Sequence, residues 1–277
     1  IFNHIIPYYC LPIIFSQCAY IFAQALFLDI TLTYLGQFYN ENSIGYRFVE
    51  AKCEENLRKN GFLEKVRDLA TKHRIVLIFD ECTSGFRQAF GGLHKFYNVE
   101  PDMAVFGKAL GNGYAITAII GKREIMEHAQ NSFISSTFWT ERIGPAAALK
   151  TLEVMEQTQS WNTITDIGKT IKQRWIHLAD EKKLEIHLSG LSALASYQFK
   201  GENALAYKTL VTQEMLKKGY LATGSVYVSI AHSCELLDGY FDELENVFDL
   251  IYECEDGRDL MSLLDGPICN TSFERLN

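Results

Sequence analysis

Nowhere do the seven cysteines (Cys10, Cys18, Cys53, Cys82, Cys234, Cys254 and Cys269) form a Cys-x-x-Cys pair, and their number is odd. That scarcity of paired thiols argues against a zinc ribbon or a disulfide framework and fits a reducing, cytoplasmic setting. Basic charge is also short. There are 26 Lys and Arg against 34 Asp and Glu, a net charge of -8, so no basic stripe offsets phosphate repulsion and a nucleic-acid partner is not expected. Internal repeats and low-complexity linkers are missing too. With 277 residues and 48% apolar content, the chain can bury a full core in one large domain or two modest ones.

Residues 1–28 contain no Asp, Glu, Lys or Arg. A membrane span needs about 20 apolar residues, and residues 13–28 come near that length. Pro7, Pro12, Gln17 and Gln24 interrupt the stretch, and no basic flank sets an orientation, so a membrane anchor is not the preferred reading. Neither the basic start nor the small-residue cleavage site of a signal peptide is clear. Residues 1–43 are therefore read as an atypical apolar segment. The initial Ile in place of Met suggests a piece of a longer chain.

Beyond Asn42 the pattern alternates between strands and helices, as in α/β layer folds. Residues 44–49 read as a short strand. Phe62, Leu63, Val66, Leu69 and Ala70 fall at offsets 0, 1, 4, 7 and 8, one face of a helix over residues 61–73. Ile75-Val-Leu-Ile-Phe79 is an unbroken apolar run, suited to a strand covered on both faces, and it stops at Asp80 and Glu81. Residues 103–106 and 115–120 read as further strands, the first halting at Gly107 and Lys108. Pro145 is expected to open an alanine-rich helix. Trp161, Ile164, Ile167, Ile171, Trp175 and Leu178 form one stripe of a helix over residues 161–183. Strands at 191–199 and 225–231 surround a helix at 204–218; a closing helix spans 241–254, and residues 256–277 read as a loose tail.

In open α/β sheets, ligands sit beyond the carboxyl ends of the strands. Asp80 and Lys108 both lie at such ends, which aims a carboxylate and an amine at one place. A lysine can form a Schiff base with a cofactor aldehyde, and a carboxylate beside a pyridine nitrogen keeps that nitrogen protonated. Gly107 would let a bulky ring approach the backbone. An Asp-Glu pair after a strand is also a common cap, and a lone lysine is commonly solvated. Thr83-Ser-Gly85 lacks the first glycine of a nucleophile elbow, and Gly111-Asn-Gly113 is a weak phosphate cue without a Rossmann or P-loop context. His94, His128 and His187 are read as packing or surface residues; His232, at the end of a strand, is a weaker site candidate.

The wording of several segments goes further. Leu77-Ile-Phe-Asp-Glu81, Thr83-Ser-Gly-Phe-Arg87, Gly91-Gly92, Pro101-Asp102 and Phe106-Gly-Lys-Ala-Leu-Gly111 together resemble the class III pyridoxal-phosphate-dependent aminotransferases. Within these they look most like the glutamate-1-semialdehyde 2,1-aminomutase branch, including the 28-residue interval from Asp80 to Lys108. Gly121-Lys-Arg-Glu-Ile-Met-Glu127, residues 135–145, Gly219-Tyr-Leu-Ala222 and Val228-Ser-Ile-Ala-His232 follow in the family's order, so the resemblance runs over residues 44–250. It implies an aminotransferase of fold type I. The large-domain sheet would carry helices on both faces, with part of this cofactor-binding domain at 44–158. A linking helix and a small α+β subdomain would follow at 159–255.

By the same resemblance, Lys108 forms the Schiff base with pyridoxal 5'-phosphate and shuttles protons, and Asp80 holds the protonated pyridine nitrogen. Cys82 stands where Val or Ile packs on the ring. Thr140, five residues before Pro145, binds the cofactor phosphate of the partner subunit in a homodimer with shared sites. Glu81 is expected to orient neighbours. The implied reaction moves an amino group from a small-molecule donor to an aldehyde or ketone.

Departures from the family pattern bear on this reading. No Gly-Ser/Thr phosphate loop or stacking aromatic precedes residue 44; Tyr34-Leu-Gly-Gln37 is no substitute. Glu50-Ala51 stands for Glu-Pro, and Gly144 stands for Asn before Pro145. Gly224-Ser-Val-Tyr227 lacks the acidic residue of the aminomutase branch, which favours a transaminase over a mutase. A relative that keeps the fold without catalysis is the third reading left open.

Overall fold

The computed structural model describes residues 61–131 and 141–270. The atypical segment, the strand expected at 44–49 and Thr140 lie outside the described residues. The chain divides into two compact units, one ending at Trp161 and the other beginning at Asn162.

In the first unit, helix α1 (Phe62–His73) buries Leu63, Val66 and Ala70 on the stripe expected from their spacing. It ends where Arg74 turns left-handed at φ 55 and the Ile75 amide donates back to the Ala70 carbonyl at 2.8 Å. That cap ties Ile75 to the helix, so the strand expected over 75–79 is reduced to β1 (Ile78–Asp80), with Asp80 as its last residue. Nor is the run covered throughout: Leu77 is buried, whereas Ile75, Val76, Ile78 and Phe79 are half-buried.

Strand β2 (Met103–Phe106) falls where the sequence placed it and pairs in parallel with β1, Ile78 opposite Met103 and Asp80 opposite Val105. Strand β3 (Ala118–Gly121) runs antiparallel to β2, Phe106 opposite Ala118 and Met103 opposite Gly121. It begins three residues later than expected. A short helix α2 (Arg123–Met126) follows it.

One carboxylate gathers the end of this sheet remote from Lys108. Asp102 accepts from the Leu77 amide at 2.8 Å, from Arg67 Nη1 at 2.9 Å and from Lys122 Nζ at 2.7 Å. Burial pushes its pKa up. The Leu77 amide, Lys122 and Arg67 outweigh that and hold it below the usual carboxylate range.

Helix α3 (Ile143–Thr158) starts two residues before Pro145. Glu141 accepts from the Ile143 amide and, at 3.1 Å, from the Gly144 amide, so a side-chain cap rather than the proline marks the start. Pro145 sits within the first turn, where it displaces no intrahelical donor. Ala148 of this helix joins Ala104, Phe106 and Leu110 in one apolar cluster.

The second unit begins within helix α4 (Ser160–Glu181). Its stripe buries Ile164, Ile171, Trp175 and Leu178, with Ile167 packed at the margin. Three antiparallel strands follow in the order β4 (Ile186–Ser189), β5 (Leu194–Phe199) and β6 (Ser225–Tyr227). Strand β4 was not anticipated. β5 starts three residues later than expected because Leu191–Ala193 forms the turn against which Gly168 packs: a Cβ on Gly168 would lie 1.8 Å from the Ser192 carbonyl oxygen.

Helices α5 (Ala204–Lys217) and α6 (Cys234–Glu255) cover this sheet. α6 is longer than expected by seven residues at its start, where Ser233 caps it by accepting from the Leu236 amide at 3.2 Å. Trp175, Leu210, Met215, Leu244, Phe248 and Ile251 are fully buried here, each worth about 1.5–3 kcal/mol of transfer free energy. Trp175 Nε1 donates to the Tyr240 hydroxyl at 3.1 Å.

The loose tail is a correction for its described part. Leu260, Leu263 and Leu264 pack on this core, Gln213 Nε2 donates to the Leu263 carbonyl at 2.8 Å, and the Asp265 amide donates to Gln213 Oε1 at 2.7 Å.

Candidate active site

Because β1 and β2 are parallel, their carboxyl ends open on the same edge of the sheet. Asp80 closes β1, and Lys108 follows β2 after Gly107. The Glu81 amide donates to the Val105 carbonyl at 2.8 Å, which extends the pairing one residue beyond Asp80 and fixes both ends in register. The sequence expectation that the two residues share one end of the sheet therefore holds in the backbone.

Lys108 adopts φ 43, a left-handed conformation that costs an L-residue about 1–2 kcal/mol. It is exposed, and its Nζ donates to Thr83 Oγ1. Asp80 is half-buried and accepts from the Cys82 amide at 3.0 Å. Cys82 is almost wholly buried. At Gly107 a methyl group would lie 3.5 Å from Cys82 Sγ and 3.4 Å from Thr117 Cγ2, so the glycine leaves a gap the size of a Cβ beside the lysine.

Glu81 points away from solvent into the loop behind the strand end. It is 4% exposed and His94 is 5% exposed. Glu81 Oε1 accepts from the His94 amide at 2.9 Å and lies 3.0 Å from His94 Nδ1, while Oε2 accepts from Ser84 Oγ. Burial raises the Glu81 pKa, but the bonds from the His94 ring, Ser84 and the His94 and Leu93 amides more than offset it and hold the carboxyl below its ordinary value. Glu81 is thus engaged by Ser84 and His94, and His94 is a buried residue with a defined acceptor.

His128 and His187 are exposed. His232 lies beyond the end of β6 and bonds locally, its Nδ1 accepting from the Ser229 amide at 3.0 Å. Among the described residues no cluster of three or more His, Cys, Asp or Glu side chains is arranged to hold a metal ion, and no helix is long and apolar enough to cross a membrane. A shallow depression lined by Gly121, Arg123, Met126, Glu127 and Gln130 lies at the far end of β3 from Lys108.

Thr83, Ser84 and the His94 partnership were not singled out in the sequence as site features. Their signal is tertiary: 25 residues separate Thr83 from Lys108 and 13 separate Glu81 from His94.

The parallel strand pair, with helices in both units, gives an α/β fold like that of solved transaminases. The FumI protein of Sphingopyxis sp. MTA144, solved in its PLP internal aldimine form, matches with a TM-score of 0.67 at 21% identity, over 73% of this chain and 50% of that one. An omega-transaminase from Sphaerobacter thermophilus matches with a TM-score of 0.62 at 19% identity, over 68% and 47%.

The chain belongs to the class-III aminotransferase family, whose model matches residues 55–244. A 3-aminobutyryl-CoA aminotransferase from Cloacimonas acidaminovorans is 38% identical over 162 residues, 58% of this chain and 39% of that protein. A glutamate-1-semialdehyde 2,1-aminomutase from Methanothermobacter thermautotrophicus is 30% identical over 206 residues, 68% of this chain and 49% of that protein. The chain therefore spans half or less of the length of these relatives. The resemblance carried by the strand-end motifs is borne out at the level of family and fold.

Proposed function

We propose that this chain carries the cofactor-anchoring part of a pyridoxal-phosphate-dependent transaminase, which moves an amino group between a small-molecule amino donor and an aldehyde or ketone. The observation that carries the reading is the delivery of Asp80 and Lys108 to one edge by adjacent parallel strands, beside the gap at Gly107. The residues there fit such a cofactor: an exposed amine, a half-buried carboxylate, and a space that a Cβ would fill. When bound, pyridoxal phosphate supplies an aldehyde that condenses with amines and a ring that accepts the electron pair left when a Cα–H bond breaks.

Lys108 Nζ would hold the cofactor through its aldehyde and would take and return the substrate proton. Asp80, through its carboxylate, favours the protonated ring nitrogen. Cys82 supplies a small apolar wall beside Gly107. Thr140, from a second copy in a homodimer, supplies a hydroxyl to the phosphate. A cytoplasmic setting suits the thiols of Cys82, Cys234, Cys254 and Cys269. The domain reading of a cofactor-binding part to about residue 158, followed by a linking helix and subdomain, belongs to the same proposal. The second reading is an aminomutase, in which the amino group returns to the same molecule; the aminomutase relative favours it, and the missing acidic residue before Val228 weighs against it.

Borohydride reduction after addition of pyridoxal phosphate, followed by peptide mapping, tests the anchor. The pyridoxyl group should be found on Lys108. A label on another lysine with Lys108 unmodified refutes the assignment, and protein that stays colourless and unlabelled in excess cofactor supports a non-catalytic relative.

A further inference from the structure

The Lys108 amine is held by a neutral acceptor, and that acceptor is itself fixed from behind. Lys108 Nζ donates to Thr83 Oγ1. The turn carrying Thr83 is closed by the Gly85 amide, which donates to the Glu81 carbonyl at 2.8 Å. It is clamped further by the Glu81 side chain, whose two oxygens are engaged by Ser84 on one side and by the His94 amide and ring on the other.

The clamp has little slack. The imidazole lies across Gly92 so closely that a Cβ there would meet His94 Nδ1 at 2.2 Å and Glu81 Oε1 at 3.0 Å. A Cβ at Gly85 would likewise meet the Glu81 carbonyl and Phe106 Cδ1, both at 2.7 Å. Close packing of this kind leaves the backbone of the turn that carries Thr83 little room to shift.

The identity of the acceptor matters for a nucleophile. A carboxylate in the place of Thr83 would favour the charged ammonium, which cannot attack a carbonyl. A hydroxyl can accept from either form of the amine and can also donate to its lone pair. It orients the side chain, and a fixed orientation raises the share of attack-ready geometries. The Glu81 carboxylate at the start of the same turn is engaged by His94 and Ser84.

We propose that Thr83, braced by the buried Glu81–His94 pair, is a positioning residue that aims the Lys108 amine. The proposal rests on the reading of Lys108 as the cofactor-anchoring lysine.

The test uses the full chain and two labels with different demands. Trace acetylation with acetic anhydride reports how free each lysine amine is; pyridoxal phosphate with borohydride reports aimed attack. Both are read by mass spectrometry as the ratio of Lys108 to the mean of the other lysines. Circular dichroism confirms that each variant is folded. Thr83→Val should raise acetylation of Lys108 and lower its pyridoxyl labelling, each by about fivefold, the worth of one net hydrogen bond. Thr83→Ser should keep both ratios at the wild-type level.

Unchanged ratios in a folded Thr83→Val chain would overturn the proposal, as would a fall in both labels together. A wild-type pyridoxyl label on some other lysine would sink the Lys108 reading and the positioning role with it. That result is distinct from a wild-type label on Lys108 that is indifferent to Thr83, which sinks only the role of Thr83. His94→Leu should move the ratios in the same directions as Thr83→Val, and His94→Gln, which keeps a donor for Glu81, should not; should His94→Leu fail to fold, the Thr83 pair decides.

Discussion

Replacing Asp102 by alanine removes the carboxylate that joins α1, the approach to β1 and the turn after β3. The Leu77 amide, in a residue only 5% exposed, loses the acceptor it has at 2.8 Å. An unsatisfied buried donor costs about 1–3 kcal/mol. The ion pairs add less. Arg67 is 20% exposed and Lys122 45% exposed, so solvent screens them and each is worth roughly 0.2–1 kcal/mol. The sum is a loss of about 1.4–5 kcal/mol for Asp102→Ala. Asp102→Asn, which keeps an oxygen for the amide, should lose only about 1 kcal/mol.

Amide hydrogen exchange read by mass spectrometry is the suitable assay, because it separates residues 61–131 from residues 162–270. The opening free energy should fall in the first range and stay unchanged in the second. The pH dependence has a definite sign. The folded-state pKa of Asp102 is depressed, so its contribution is fully present above the ordinary carboxylate value of about 3.9 and is lost as pH falls through the folded-state value. The gap between wild type and Asp102→Asn should therefore be widest near neutrality and narrow below about pH 4. A change under about 1 kcal/mol for the alanine variant, or a gap that widens in acid, would refute the reasoning.

Asp80→Asn should leave folding intact and lower turnover by roughly a thousandfold, since an amide cannot hold a pyridinium charge; near-normal turnover would make Asp80 a structural carboxylate. Gly92→Ala places a methyl 2.2 Å from His94 Nδ1, which should expel the ring, strip Glu81 of a donor and cost about 2–4 kcal/mol. Faster exchange across residues 81–94 checks it, and unaltered exchange contradicts it. Trp175→Ala, at a residue with no exposed surface, should cost the second unit about 3–5 kcal/mol in denaturant unfolding. A loss below about 1 kcal/mol would mean that the cavity collapses freely.

The legible parts of the sequence were those with long or clean patterns. The stripe of α1, the four residues of β2 and the face of α4 that carries Ile164, Ile171 and Trp175 all fell where spacing placed them. Strand ends were misjudged where tertiary bonds intervene, as at Ile75, whose amide belongs to the cap of α1. Strand β4 escaped because its four residues, Ile-His-Leu-Ser, alternate too briefly to stand out. The first seven residues of α6 escaped because their apolar content is diluted by Asp238 and Gly239.

At the candidate site, the strand-end positions of Asp80 and Lys108 were legible because chain direction alone determines them. The hydroxyl that meets the lysine and the imidazole that meets Glu81 were not. Nothing in the local spacing of Thr83 or His94 encodes a partner 25 or 13 residues away.

The segment after α6 also sets a load path. Tension applied at Asn270 would first meet the Cys269 amide on Thr209 Oγ1, at 3.0 Å, then Asp265 held by Gln213 and by Lys217 at 2.9 Å. All three anchors lie on α5, not on α6. A pull from that side would load α5 in shear, through several bonds at once, before α6 could be unzipped from its own end. In a force-extension experiment, Gln213→Ala should lower the first rupture force, because it removes the side chain that grips the backbone on both flanks of Leu264.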